Sequence, residues 1–339
     1  MSVDLATPES TRLAAERLAA GELQAFATET VYGLGADAAN PAAVAKIFAL
    51  KGRPANHPLI VHIASLADVS RWAQDVPDYA HALMSTFWPG PLTLILPKTA
   101  YTPLDTTGGQ HSVGLRCPAH PVAQALLAEC LRLGVFGIAA PSANRFGQVS
   151  PTTAAHVVDE FGADCPPVLD GGACEVGIES TIVDCTAAYP RVLRQGFISE
   201  AQIFEISGKL RVKQVNKVIA PRASGTLPAH YAPRTPVRLG TLHDAIPSNW
   251  AWMGINTRSD LSKTSQIMMP NTAVAYAQTL YATLRELDND LSAANHDKVR
   301  GVIIENPMST EYALDNDDNP SLWAAITDRL SRAAAAHSD

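Results

Sequence analysis

Lys51 and Arg53 stand two positions apart, close enough for two cations to grip one anion. Upstream, Thr28, Glu29, Thr30 and Tyr32 set hydroxyls and a carboxylate ahead of Gly33 and Gly35. Without a Cβ, those glycines let the backbone turn sharply or approach a ligand closely. Similar groups recur downstream. Ser112-Val113-Gly114-Leu115-Arg116 and Val192-Leu193-Arg194 each end on a cation, and Ser142-Ala143-Asn144, with Ser150 beyond it, supplies hydroxyls and an amide. Gly177-Ile178-Glu179-Ser180-Thr181 opens another such stretch. Together they suit a small anionic ligand.

Familiar nucleotide signatures do not account for the pattern. Gly33-Leu34-Gly35-Ala36-Asp37-Ala38 fits the loose dinucleotide spacing. That fingerprint needs an acid about 20 residues on, where Arg53, Asn56 and His57 stand instead. No Gly-Lys-Ser or Gly-Lys-Thr closes a phosphate loop anywhere in the chain. His57 and His62, five apart, lack the helical spacing of a zinc pair. Taken one by one, a strand-terminal Arg reads as a surface charge and a Ser-x-Asn as a turn.

The elements that must hold these groups alternate. An apolar strand over Leu23–Ala27 leads into the polar loop, and Asn40 caps a helix with Pro41 at its first position and Val44, Ile47 and Phe48 as its stripe. Before them, Thr7-Pro8 starts a helix that Gly21 stops, with Leu13, Ala14 and Leu18 on one face. Strands are expected over 59–63, 92–96, 113–116, 138–140, 182–184 and 192–194. Helices are expected over 66–73, 78–87, 122–133 and 153–161. Such alternation predicts an α/β layer architecture, in which ligands bind at strand ends.

Between Ser207 and Pro236 the pattern breaks. Lys209, Arg211, Lys213, Lys217 and Arg222 occur with no acid among them, before Ser224-Gly225-Thr226-Leu227-Pro228. The expected organisation is a domain over 1–207 that carries the site, a linker over 208–236 that folds over the site, and a small α/β domain over 237–339. In the last, strands are expected near 237–239, 250–255 and 299–304, with helices over 274–287 and 322–334.

The first 207 residues carry 12 Lys and Arg against 20 Asp and Glu, a net of −8, and the remainder is near neutral. An acidic first half argues against a non-specific grip on nucleic acid, which needs many phosphate contacts. The five cysteines, Cys117, Cys130, Cys165, Cys174 and Cys185, form no C-x-x-C pair and are expected reduced. No secretory leader is read and no apolar run approaches spanning length, so the expectation is a cytoplasmic protein.

The set as a whole resembles a known family. Thr28-Glu29-Thr30-Val31-Tyr32-Gly33-Leu34, Lys51-Gly52-Arg53-Pro54, His57-Pro58-Leu59-Ile60-Val61-His62, Trp88-Pro89-Gly90-Pro91-Leu92-Thr93, Pro141-Ser142-Ala143-Asn144 and Ser180-Thr181-Ile182-Val183-Asp184 are similar to the YrdC-type threonylcarbamoyl-AMP synthases. The resemblance runs in order over about residues 10–200, and residues 224–233 resemble the linker of the longer, two-domain members. Ala27 departs from the family, which usually has proline there.

The resemblance implies a YrdC-like twisted open sheet and a second, smaller Rossmann-like α/β domain. It also implies an enzyme joining L-threonine, bicarbonate or CO2 and ATP into threonylcarbamoyl-adenylate and pyrophosphate, with Mg2+ on the ATP phosphates. A separate threonylcarbamoyl transferase would consume the product, so contact with tRNA would be indirect. By carry-over, Lys51, Arg53, Ser142 and Asn144 would act in catalysis. Arg53, His57, Ser112, Ser142, Ser150 and Arg194 would bind ATP, with Tyr231 folded over it. Thr30, Tyr32, His62, Arg116, Ala140 and Ser180 would bind threonine. Two other readings stand beside it: a non-catalytic nucleotide- or RNA-binding module on this fold, and a carbamoyl-adenylate-forming domain serving another acceptor, as in hydrogenase maturation.

Overall fold

The computed structural model describes residues 2–208, 220–262, 265–293, 300–309 and 319–337. The expected basic run at Lys209, Arg211, Lys213 and Lys217 lies outside the described residues. The chain divides into two compact units, one of residues 1–146, 151–175 and 179–226, the other of 147–150, 176–178 and 227–339. Within the expected linker, residues 220–226 therefore go with the first unit and 227–236 with the second.

The first unit is built on a mixed sheet whose strands are β1 (Val3–Leu5), β2 (Gln24–Phe26), β3 (Gly33–Asp37), β4 (Ile60–His62), β5 (Leu92–Pro97), β6 (Ser112–Arg116), β7 (Ile138–Ala139), β8 (Val168–Asp170), β9 (Thr181–Asp184) and β10 (Arg191–Arg194). Their spatial order is β1-β8-β2-β3-β7-β4-β6-β5-β9-β10. Its helices are α1 (Pro8–Ala19), α2 (Pro41–Lys51), α3 (Val69–Trp72), α4 (Asp78–Phe87), α5 (Leu104–Thr107), α6 (Pro121–Arg132), α7 (Ala154–Phe161) and α8 (Glu200–Ser207).

Local chemistry explains most boundaries. Asn40 Oδ1 accepts the backbone N–H groups of Ala42 and Ala43 and starts α2; Gly52, left-handed at φ 62°, ends it. The expected face of α1 needs one correction: Thr11, Ala14, Ala15 and Leu18 are buried, while Leu13 faces outward. A larger departure is β3, which reads as a glycine turn and is a central strand. A Cβ on Gly35 would sit 2.8 Å from Ile138 Cγ2 and 2.9 Å from Phe26 Cε1. Neighbouring side chains already fill the space a side chain at 35 would need, so glycine is required inside the sheet itself.

The centre of the sheet sorts its residues by face, as successive side chains of a strand point to opposite sides. Val61, Leu94, Val113, Leu115 and Val183 belong to one hydrophobic core. Ile60, Thr93, Ser112, Gly114 and Ile182 alternate with them and line a recess. The face that would otherwise be polar and exposed is thereby made into a floor.

The second unit holds β11 (Val237–Gly240), β12 (Trp250–Gly254), β13 (Gln266–Met268) and β14 (Gly301–Glu305), all parallel in the order β11-β14-β12-β13. α9 (Ala273–Ala293) and α10 (Pro320–Ala335) accompany them. Residues 227–236 are knit into this unit. The N–H groups of Arg234 and Thr235 donate to the Asp288 carboxylate, and Arg332 Nη1 donates to the Leu227 carbonyl. No described helix is long and apolar enough to cross a membrane.

Candidate active site

Strands β4 and β6 run parallel with Ile60 opposite Gly114 and His62 opposite Arg116. Their C-terminal ends meet the loop that follows β2. There Arg116 Nη2 lies 2.7 Å from Glu29 Oε1, both side chains almost fully buried, and Arg116 Nη1 donates to Thr30 Oγ1 at 2.8 Å. Thr28 folds the loop: its hydroxyl donates to the Val31 carbonyl at 2.6 Å and accepts from the Thr30 and Val31 N–H groups. Burial alone would raise the Glu29 carboxyl, but the Arg116 charge and hydrogen bond hold it below the usual value.

His62 completes this corner. It stands edge-to-face with Phe26 at 6.2 Å, and its Nδ1 finds no hydrogen-bond partner among the described residues. Burial first, then the Arg116 charge, push its pKa down to about 3, so the imidazole is neutral.

Ser180, entering β9, is held on several sides. Its hydroxyl lies 2.8 Å from Thr93 Oγ1; Arg194 Nη2 donates to that hydroxyl at 3.1 Å, and Arg194 Nε to the Ser180 carbonyl at 3.0 Å. Arg194 Nη1 meanwhile donates to the Ser224 carbonyl at 3.0 Å. Thr93 has no counterpart among the residues singled out for binding. Within an apolar strand it reads as one more β-branched residue.

At the N-terminal ends of β4 and β6 the groups differ. Arg53, buried after α2, donates from Nη2 to the Pro58 carbonyl at 2.9 Å and lies 3.5 Å from Ser224 Oγ. The Arg53 guanidinium and the His57 ring both contact Phe146. Burial, then the charges of Arg53 and Arg222, hold His57 below its ordinary pKa. Ser112 and Gly114 line a narrow recess together with Arg222, Ala223 and Ser224.

Lys51 and Arg53 reach different backbone carbonyls. The Lys51 ammonium donates to the backbone carbonyls of Ser142 and Asn144, pinning the loop that carries both residues. Asn144 Nδ2 donates to the Arg145 carbonyl at 2.7 Å. Tyr32 is also engaged: its hydroxyl lies 2.8 Å from Asp170 Oδ1 and 2.7 Å from the Gly172 carbonyl, and burial and Asp170 raise its pKa. The Ala140 N–H donates to the Ile60 carbonyl.

Two expected nucleotide residues fall in the second unit. The Ser150 carbonyl accepts from Arg285 Nε at 3.4 Å. Tyr231, at φ 61°, is buried with its ring 5.8 Å from that of Tyr281 in a stacked arrangement and 5.7 Å from the Arg329 guanidinium.

Residues 16–196 match the Sua5/YciO/YrdC family model, described as telomere recombination, and residues 198–335 match the threonylcarbamoyl-AMP synthase C-terminal domain. The threonylcarbamoyl-AMP synthase of Pyrococcus abyssi is 43% identical over 229 residues, 67% of this chain and 66% of that protein. That of Bacillus subtilis is 43% identical over 233 residues, 67% of this chain and 65% of that protein. The alignments thus span slightly under two thirds of these relatives' lengths. Among solved structures, P. abyssi Sua5 complexed with L-threonine superimposes with a TM-score of 0.82 at 32% identity, covering 99% of this chain and 97% of that one. Escherichia coli YciO shares the fold of the first part, with a TM-score of 0.51 at 22% identity over 58% of this chain and 97% of its own.

Proposed function

Because this chain belongs to the Sua5/YrdC family, in the two-domain form of the threonylcarbamoyl-AMP synthases, we propose that it joins L-threonine, bicarbonate or CO2 and ATP into L-threonylcarbamoyladenylate and pyrophosphate. The observation that carries this reading is the difference between the two ends of one strand pair. A buried acid–base pair closes the C-terminal ends of β4 and β6, and cations and hydroxyls gather at their N-terminal ends. Ser112 and Arg116 are four residues apart, about 13 Å at roughly 3.3 Å per residue. That distance lets an amino acid and a nucleotide phosphate occupy opposite ends of one floor.

Glu29 and Arg116 are charge-complementary to a zwitterion, a carboxylate for the ammonium and a guanidinium for the carboxylate. Thr30 and Ser180 offer hydroxyls beside them. A neutral His62 adds no positive charge next to the threonine ammonium. Carbamate formation requires the threonine ammonium to give up one proton; the free amine nitrogen then bonds the carbon of CO2 and releases a second proton to solvent. A carbamate oxygen then attacks the α-phosphorus and pyrophosphate leaves, so negative charge grows on phosphate oxygens. Such a transfer needs positioning and fixed positive charge more than a protein nucleophile. Arg53 supplies charge, and Lys51 holds the Ser142–Asn144 loop that offers polar groups to the nucleotide. Mg2+ would enter on the ATP phosphates, since cations, hydroxyls and amides around the recess suit phosphate oxygens better than a metal ion.

The product would pass to a separate transferase that modifies the adenosine beside the tRNA anticodon, with tRNA contacting this chain only indirectly. A net of −8 over residues 1–207 supports that division of labour. A cytoplasmic site fits five free, buried cysteines. The test is pyrophosphate release from ATP by the full chain. Release should require both threonine and bicarbonate, and equal turnover with either one omitted would sink the assignment.

A further inference from the structure

The segment 220–226, a strap over the recess in the first unit, is held near Arg222 by Gln110, a side chain that the reading above leaves without a role, and at Ser224 by two cations already placed in the site. The Gln110 amide meets Arg222 as a strand would. Its Oε1 accepts the Arg222 N–H at 2.7 Å, and its Nε2 donates to the Arg222 carbonyl at 3.1 Å. The Arg222 guanidinium donates from Nη2 to the Gly108 carbonyl at 2.6 Å. Two residues further on, the Ser224 carbonyl accepts from Arg194, and its hydroxyl lies 3.5 Å from Arg53.

The acceptor of Arg222 is firmly placed. Gly108 has φ 59°, and a Cβ there would sit 2.5 Å from the Asn56 carbonyl oxygen. Only glycine allows this turn to press against the 56–58 loop, which also carries His57 and the carbonyl that Arg53 binds. Arg53 thus bonds the 56–58 loop directly, and Arg222 bonds the turn packed against that loop. Arg222 forms no ion pair among the described residues, and its guanidinium donates to a neutral carbonyl oxygen.

We propose that Arg222 is a further phosphate-binding cation of the site, taking oxygens of the pyrophosphate group, and that Gln110 is the positioning residue that docks the strap so that Arg222 faces the recess. The inference rests on the function proposed above and adds two residues to it. A guanidinium held by a neutral carbonyl gains by exchanging it for a phosphate oxygen, because charge-assisted hydrogen bonds are roughly twice as strong and can be bidentate. Arg222 leaves the Gly108 carbonyl, while the Gln110 amide keeps the strap's backbone in register. Burial first, and then the charges of Arg53 and Arg222, hold His57 below its ordinary pKa, so that ring stands near both cations.

The experiment is calorimetric titration of the full chain with inorganic pyrophosphate and, separately, with threonine. It compares the unsubstituted protein with Arg222→Ala, Arg222→Lys and Gln110→Ala. Loss of a hydrogen bond to a charged group should weaken pyrophosphate binding by about 10- to 100-fold in Arg222→Ala. Arg222→Lys should recover part of that loss. Gln110→Ala should weaken pyrophosphate binding less, raise the KM for ATP, and leave the KM for threonine and the melting temperature unchanged. Pyrophosphate binding equal to that of the unsubstituted chain in Arg222→Ala overturns the proposal. So does a parallel loss of threonine binding in Arg222→Ala or Gln110→Ala, which would mark a merely structural role. A chain that shows these shifts yet releases no pyrophosphate from ATP, threonine and bicarbonate would refute the proposed reaction and leave the phosphate subsite standing.

Discussion

Where β4 and β6 end, the polar groups answer one another: Glu29 neutralises Arg116, Arg116 bonds Thr30, and His62 is uncharged. Where the same strands begin, Arg53 and Arg222 are held by backbone carbonyls, and His57 stands in the field of both. One end carries its own counter-charge, and the other gathers positive charge around a recess. The contrast follows from what water would otherwise do. A buried single charge is costly, so an end closed from solvent must hold charge in pairs. An end open to a recess can keep cations until a polyanion arrives. The two ends are therefore selective in different ways, one for a zwitterion that slots into an existing pair, the other for net negative charge.

The largest effect should come from breaking the closed end. Arg116→Ala leaves the Glu29 carboxylate buried and unpaired, which commonly costs about 3–5 kcal/mol. Adding Glu29→Gln to that variant should recover much of the loss, and urea unfolding of the single and double variants reads it. Equal instability in both would mean that the pair is not what stabilises this corner. Next in size is the open end. Arg53→Ala should slow pyrophosphate release by about 10²–10³ while the unfolding midpoint holds. An unchanged rate would place the transition-state charge elsewhere.

A smaller effect separates the two ends by pH. His62 has a folded pKa near 3 against 6.5 for the free group. Above pH 6.5 both folded and unfolded states leave it neutral, and its contribution is constant. Below that, the unfolded chain takes up a proton that the folded chain refuses, so stability falls by about 1.4 kcal/mol per pH unit. Glu29 acts lower down: its depressed pKa contributes stability that is present above 4.5 and lost as pH falls further. Between pH 6.5 and 4.5 His62 should thus contribute a large part of the slope, beside His57 and His120, which are also held below their ordinary value, and His62→Gln should reduce it. A slope in that window untouched by the substitution would count against a neutral buried imidazole.

Some of this was legible in the chain and some was not, for reasons that differ by residue. Strand β5 and helices α4 and α6 announce themselves by apolar runs and periodicity, since nothing in their neighbourhood overrides the local pattern. Strand β3 hides because Gly35 takes its character from Phe26 and Ile138, side chains supplied by other strands. Helix α8 carried an overlooked signature, Ser199 and Gln202 forming a capping box. The candidate site residues are weak signals singly; the order of whole motifs is what made them a set. Pairings such as Gln110 with Arg222, 112 residues apart, leave no local trace at all. Tyr231, which the resemblance folds over the nucleotide, is buried beside Tyr281 within the second unit.

The cysteines have a consequence of another kind. All five are free, buried and located within the first unit. Burial raises the pKa of each, so few thiolates exist at neutral pH to react with an alkylating agent. Cys117 and Cys174 feel the charges of Glu29 and Arg116, whereas Cys185 lies beside Tyr79. Each thiol is therefore a clock that runs only while its own surroundings are open, and the second unit carries none. The rate at which label accumulates, position by position, is a record of how often the amino-acid corner breathes compared with the rest of its sheet.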